Sequence, residues 1–455
     1  MRTFALPLLM VFAGCTGEEP GKYSEPTDPT VTRPEDSSVT DSPVDDTSPP
    51  DDSTPPDDST PPDDSTPPDD SVPPPVLWDQ LGGEAAVSAV LDAFLANVAA
   101  DANINWMFAN TDLANLKTQL RDQISAATGG PHAYTGRSML EVHANMGITE
   151  AQWTSIVGDL LAALDSLGVT YTADFSGGLP ADQLILAIAA THDDIVTDPN
   201  GTNLLFNQLG GYAAVNAVVA DFLVNVGADD RINWMFANTD LARLNDLLVE
   251  QICEATGGYC VYSGGDMVSV HANMGITDAQ FGNMVEDLLQ SFDNLGVPYT
   301  ADFTGGLPAD QLVLALAGMQ QDIVTDPTGS NVLFNQLGGH AAVQAVIDQF
   351  LVNVAADSRI NARFATTDIA RLNGLLVEQV CEATGGYCVY SGLDMVTAHT
   401  GMGITHEEFG YMVEDLLAAF DTLGVAYTTG TFDGGLPADQ LVLALAAMET
   451  DIVGL

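Results

Sequence analysis

The chain repeats itself at an interval the size of a whole domain. Gln-Leu-Gly-Gly begins at Gln80, Gln208 and Gln336, so the period is 208 − 80 = 128 and again 336 − 208 = 128 residues. The stretch Met267-Val268-Ser269-Val270-His271-Ala272-Asn273-Met274-Gly275-Ile276-Thr277 keeps that spacing, its histidine matching His143 and His399. Solenoids stack units of roughly 20–45 residues that cannot bury a core alone. A unit of this length can, so the 455 residues read as three tandem globular domains. Their bounds fall near residues 76–200, 201–328 and 329–455, the third copy gaining one residue near Gly430.

Within a unit the periodicity is helical. In repeat two, Val215, Val218, Val219, Phe222, Leu223 and Val226 form one apolar helix face. Asn238-Thr239-Asp240 offers caps for a second helix through Leu241, Leu244, Leu247, Leu248 and Ile252, which Gly257-Gly258 stops. A short segment carries His271, and Gly275 ends it. Thr277 with Gln280 is a capping box for a third long helix, and Pro308 suits the first turn of a fourth. The alternation of strands is absent. The predicted fold class is all-α.

Residues 1–14 read as a signal peptide: Arg2, the apolar stretch Phe4–Phe12, then Ala13-Gly14 before Cys15. This looks like a lipoprotein signal, so Cys15 is expected to carry lipid and anchor an exported chain to the bacterial envelope. Phe12 is a departure, because Leu is more usual three residues before such a cysteine. Residues 15–75 form an acidic, Pro-rich linker ending in Asp-Asp-Ser-Thr-Pro-Pro units, too polar to bury a core and expected to act as a semi-stiff stalk. The net charge of −52, from 63 acidic and 11 basic residues, excludes nucleic acid and anionic lipid as direct partners. No apolar run reaches the roughly 20 residues of a spanning helix.

Cys253 and Cys260 lie seven apart, Cys381 and Cys388 repeat the pair, and repeat one replaces both members, by Ser125 and His132. Joint loss is what a disulfide partnership predicts, and export permits it. Two thiols per repeat are too few for a closed zinc site.

Of seven histidines, only His143, His271 and His399 recur in every copy, while adjacent Glu141, Ser269 and Thr397 drift. One imidazole per unit, with no second ligand nearby, is a poor bare-metal site. It suits an axial ligand of haem iron, where the porphyrin supplies four nitrogens.

Each repeat resembles a truncated haemoglobin of the first group, the shortened globin with two helix pairs packed crosswise. The matching residues in repeat two are Phe206-Asn207-Gln208-Leu209-Gly210-Gly211, Asp221-Phe222, Phe236 through Leu244, Ala255-Thr256-Gly257-Gly258, Tyr262, the histidine segment, Leu295-Gly296-Val297 and Asp322-Ile323-Val324. The resemblance implies one haem b per repeat, its iron held by His143, His271 and His399, with Phe108, Phe236 and Phe364 packing on the porphyrin. It implies reversible binding of a diatomic gas, oxygen by default and CO or NO besides.

The departures bear on mechanism. The family usually places a tyrosine after the phenylalanine of the first long helix, its hydroxyl bonding the gas ligand; here the position is Leu95, Leu223 and Leu351. Positions where the distal helix often carries glutamine read Leu120, Leu248 and Leu376, with Leu116, Leu244 and Leu372 one turn earlier. An apolar distal wall is therefore expected. Gln123, Gln251 and Gln379, three residues further on, are expected to face solvent or the tunnel mouth. Arg243 and Arg371 are candidates for the haem propionates, although repeat one has Asn115 there. With no acid–base group opposite the histidine, gas binding is expected ahead of enzymatic chemistry. The alternatives are NO dioxygenase or peroxidase-like activity, and haem storage or electron transfer at the cell surface.

Overall fold

The computed structural model describes residues 74–454 except Gly177, Gly305 and Gly434; the expected signal, Cys15 and nearly all of the stalk lie outside the described residues. Every repeat has the same helical order. In repeat two it is an opening helix Leu205–Gln208, a first long helix Gly211–Ala228, a 3₁₀ turn Asn233–Phe236, a second helix Leu241–Ala255, the histidine helix Met267–His271, a third long helix Asp278–Leu295, a fourth helix Pro308–Gly318 and a last turn Gln320–Ile323. Among the described residues the β structure is one isolated bridge, Ile404 to Val453. The all-α expectation holds.

Local chemistry sets the boundaries. Gly210 caps the first long helix at a φ of 95°, where an added Cβ would stand 2.7 Å from Ala214 Cβ, so only glycine makes this turn. Asp240 caps the second helix by accepting from Arg243 N, and Thr277 and Gln280 form the expected capping box. Pro308 occupies the first turn of the fourth helix. There the buried Asp310 carboxylate accepts from Thr300 N at 2.6 Å, Thr300 Oγ1 at 2.9 Å and Leu307 N at 3.2 Å. Burial opposes its ionisation, but these donors together hold it below the usual carboxylate range.

The first long helix is the element around which a repeat packs, against the second and third long helices. Val215, Val218, Val219, Leu223, Leu288, Phe292, Leu312 and Val313 fill that core. Gly83–Ala100 and Gly211–Ala228 reach 18 residues at a mean hydropathy of 1.3, which reflects this central role in a helical domain. A second apolar cluster lies around the histidine helix: Ile276, Phe281, Ile323 and Val324, with Met235, Met267, Met274, Met284 and Met319 against them. Thioethers adapt to irregular gaps, and here they border the segment that carries the histidine.

Two features repeat across the copies. Asn225 Nδ2 donates to the Asp287 carbonyl at 3.2 Å, as Asn97 does to Asp159 O at 3.0 Å and Asn353 to Asp415 O at 2.9 Å, tying the first and third long helices; in repeat two it also meets Ser291 Oγ at 2.8 Å. Beside that tie, Asp287 Oδ2 is buried without a hydrogen-bond partner, as are Asp159 Oδ2 and Asp415 Oδ2 at the same place. Desolvation, with the Asp229 carboxylate nearby, raises the Asp287 pKa to about 6.

Cys253 pairs with Cys260 and Cys381 with Cys388, at Cα separations of 5.8 Å. Repeat one closes the same loop differently. The hydroxyl of Ser125, fully buried, accepts from the backbone N–H of His132 at 2.8 Å. A hydrogen bond thus joins the two positions that a covalent bond joins elsewhere.

The connections between repeats are folded. Asp198, almost fully buried, accepts from Thr202 N at 2.8 Å, Asn203 N at 3.1 Å and Asn207 Nδ2 at 2.8 Å. Asp326 does the same for Ser330 N, Asn331 N and Asn335 Nδ2 in the next connection, at 2.9, 3.0 and 2.9 Å. Across the joint, the Trp106 indole stacks on Tyr212 with centroids 5.5 Å apart, and Trp234 stacks on His340 at 5.3 Å.

Candidate functional site

The histidine helix is only five residues long, Met267–His271, and stops abruptly. Its end is built from left-handed residues: Asn273 at φ 64° and Gly275 at φ 67°, with Asn145 and Gly147, and Gly401 and Gly403, at the same positions. Asparagine and glycine are the residues that take this conformation at least cost. Here the two Asn and one Gly variation among copies preserves one backbone shape.

That shape sets the ring. His271 Nδ1 lies 2.9 Å from the carbonyl of Met267, His143 Nδ1 2.8 Å from Met139 O and His399 Nδ1 2.8 Å from Met395 O. A carbonyl only accepts, so Nδ1 carries the proton and the neutral ring presents a bare lone pair at Nε2. All three rings are half-buried. Desolvation holds His143 below its usual pKa, against the pull of the Met139 carbonyl. A locked Nδ1–H with a free Nε2 is the arrangement that orients a histidine toward a metal and raises its basicity.

The second helix supplies the other wall. Leu241, Leu244, Leu248 and Gln251 stand three and four residues apart on one face. Leu244 and Leu248 pack with buried Leu223 in repeat two, and Leu351, Leu372, Leu376 and Phe364 share one cluster in repeat three. In repeat one Leu120 packs beside Phe94, while Leu95 is buried, Leu116 half-buried and Phe108 lies with Met107, Met146 and Trp153. Phe236 is half-buried at the end of its 3₁₀ turn. At the head of the stripe Leu113, Leu241 and Ile369 are left 38, 42 and 43% exposed. Apolar side chains at the same open position of every copy fit a flat apolar group laid along the stripe.

Two of the three glutamines depart from expectation. Gln251 turns inward: its Nε2 lies 3.4 Å from Met267 Sδ and 3.5 Å from Met319 Sδ, and Gln379 meets Met395 and Met448 at the same distances. The stripe's own register aims the amide there, and thioether sulfur is a weak but adequate acceptor. The amide bridges the second helix to the histidine helix at one edge of the slot. Recurrence of Met139, Met267 and Met395 four residues before each histidine was the available signal. Arg243 reaches Ser263 Oγ at 3.2 Å from an exposed position. The loop before the histidine helix is held by Tyr262 OH donating to Gly265 O at 3.0 Å, and by Ser263 donating twice to Glu250.

The described residues contain no cluster of three or more His, Cys, Asp or Glu able to hold a bare metal ion. The donor set, one oriented imidazole per apolar slot, fits a metal that arrives with its other ligands.

Each repeat also matches known proteins. The family model for bacterial-like globin matches residues 76–174, 204–302 and 332–431. A group 1 truncated haemoglobin of Tetrahymena pyriformis is 35% identical over 94 residues, which is 21% of this chain and 78% of the relative. One from Mycolicibacterium paratuberculosis is 37% identical over 93 residues, 20% of this chain and 68% of the relative. The crystal structure of the Tetrahymena pyriformis protein in its Fe(III) form aligns over 28% of this chain and all of its own, at 26% identity and a TM-score of 0.25.

Proposed function

The chain belongs to the bacterial-like globin family, and on that premise we propose that each repeat holds one haem b through His143, His271 or His399 and binds a diatomic gas reversibly, oxygen foremost. The family implies the haem cofactor and the gas ligand; the type of haem, one per repeat, and the residues are our assignment. The observation that carries it is the Nδ1–H of each histidine held on a carbonyl four residues back.

Haem, when bound, supplies an iron with one open position for a gas. The chain's own residues do the rest. The carbonyls of Met139, Met267 and Met395 fix ring tautomer and orientation, so Nε2 is the only nitrogen offered. Phe108, Phe236 and Phe364 would pack against the macrocycle. Leu95, Leu223 and Leu351, with Leu116, Leu244, Leu372, Leu120, Leu248 and Leu376, exclude water from the opposite wall and offer no hydroxyl or amide. A gas that becomes polarised on binding therefore forgoes a hydrogen bond worth roughly 1–3 kcal/mol, which favours rapid release and less polar ligands such as CO and NO. The same wall lacks an acid–base group, which favours binding over catalysis. We further propose that the chain is exported and anchored at the envelope through lipidated Cys15.

The test is direct. The full chain is purified with added haemin and its absorption recorded with and without CO. One Soret equivalent per repeat is expected, with about a third of the intensity lost on each of His143→Ala, His271→Ala and His399→Ala. A spectrum unchanged by the triple substitution refutes the assignment.

A further inference from the structure

The same interface is used twice inside the chain, and each of its two faces is rebuilt on the repeat where it is left outermost. At the two joints, three contacts recur. An indole, Trp106 or Trp234, stacks on Tyr212 or His340 of the next repeat and meets its buried phenylalanine, Phe206 or Phe334, at centroid distances of 5.5 and 5.4 Å. The next repeat's Asn207 or Asn335 donates Nδ2 to the carbonyl of Gly147 or Gly275, at 2.8 and 2.7 Å. Each contact links the turns flanking one repeat's histidine slot to the opening of the next.

Such an interface is head-to-tail: the donor and acceptor faces are on opposite ends of every repeat. Three identical copies would leave one of each open, and an open head-to-tail pair propagates into a filament. Here neither open face keeps the contacts. On repeat three the indole position is Ala362, exposed. The next residue, Arg363, stands where Met107 and Met235 stand, and its guanidinium donates to Met402 O at 2.6 Å and to Gly403 O at 3.3 Å. Gly403 is the counterpart of Gly147 and Gly275, so the carbonyl that an incoming asparagine would engage is already bonded from within. Glu408 holds the arginine in place, its Oε1 2.8 Å from the guanidinium.

On repeat one the changes are complementary. Asp79 replaces the asparagine, and a carboxylate has no proton to give a carbonyl. Glu84 replaces the aromatic and is engaged by His132 Nε2 at 2.9 Å and Arg121 Nη1 at 3.5 Å. Arg121 itself stands where repeats two and three bury Val249 and Val377. A stacking surface has become an ion-paired, solvated one.

We infer that repeats one and three are capping repeats: their outer faces are rebuilt so that neither accepts another copy of this chain head-to-tail, and the stacking interface is confined to the two internal joints. Solenoid proteins need polar terminal repeats for the same reason; here the principle operates on whole globular domains.

The experiment restores the lost chemistry in the full chain. Asp79→Asn and Glu84→Tyr open one face, and Ala362→Trp with Arg363→Met opens the other. The four changes together are expected to give a weight-average mass by sedimentation that climbs with concentration to about twice that of the starting protein or more, with either pair alone giving less. A folded variant that sediments as the starting protein does overturns the inference. The reciprocal change guards against a variant that fails to fold: Trp234→Ala with Asn335→Asp moves the cap chemistry into the second joint. Spin labels at Gly282→Cys and Gly410→Cys, both exposed with open space around them, are expected to show a broadened distance distribution. A distribution as narrow as before also overturns it.

Discussion

The Nδ1–H of His271 points at the carbonyl of Met267, 2.9 Å away and four residues back. This bond exists because the helix stops at the histidine, and the helix stops because Asn273 and Gly275 take left-handed conformations. The nitrogen left free for a ligand is thus selected by backbone two and four residues downstream.

Asn273 is accordingly a sensitive position. Asn273→Val places a β-branched residue at φ 64° and is expected to cost repeat two about 1–3 kcal/mol and to speed haem loss. Asn273→Gly, which is the residue repeat three carries as Gly401, is expected to be tolerated. Thermal unfolding and haem transfer to a scavenger globin distinguish them; equal behaviour of the two variants removes the backbone argument.

Leu223→Tyr supplies a hydroxyl on the distal wall. Oxygen release from one repeat of three is expected to slow roughly tenfold, from about 1.4 kcal/mol of hydrogen bonding, with CO release changed little. Stopped-flow dissociation should resolve one slowed phase in three. Uniform slowing of all phases, or none, contradicts the assignment of Leu223 to the pocket.

Reduction should divide the repeats. Loops closed by residues seven apart gain about 2–3 kcal/mol from a disulfide. A mild reductant is therefore expected to lower the unfolding midpoints of repeats two and three and to leave repeat one, held by Ser125 and His132, where it was. Ser125→Ala is the matching probe, expected to cost repeat one about 1–2 kcal/mol for the lost bond in a buried setting.

Asp287 carries a pH signature. Its folded pKa is about 6, above the ordinary carboxylate value, so between roughly pH 4 and 6 the native state holds a proton that the unfolded state has released. Stability contributed by the protonated form is full below the unfolded value and lost as pH rises through 6. Asp287→Asn is expected to unfold like the parent at pH 4 and to be more stable by about 1–2 kcal/mol at pH 7. Urea titrations at the two pH values check the crossover.

Much of the helical scaffold was legible because its determinants are local: the Thr277–Gln280 box, Pro308 and the apolar faces act within one or two turns. The three histidines were legible because internal repetition separates retention from drift. What escaped was long-range or lay in the drift itself. Gln251 reads as solvent-facing until the fold brings Met267 and Met319 beside it. Asp79 against Asn207, and Ala362 against Trp234, look like ordinary variation until each is seen at an end or a joint. The replacement of a cysteine pair by Ser125 and His132 reads in the sequence as a loss, yet their hydrogen bond forms only in the fold.

The carboxylates of Asp198 and Asp326 gather the amides of the segments between globins into compact turns. A protease needs several residues of extended, accessible backbone to cleave. Pro199, Asn200, Thr202 and Asn203 of the first connection are exposed but held in such turns and not extended, so digestion should trim the chain elsewhere before it releases an individual globin, and the three globin units should travel through a proteolytic environment as one piece.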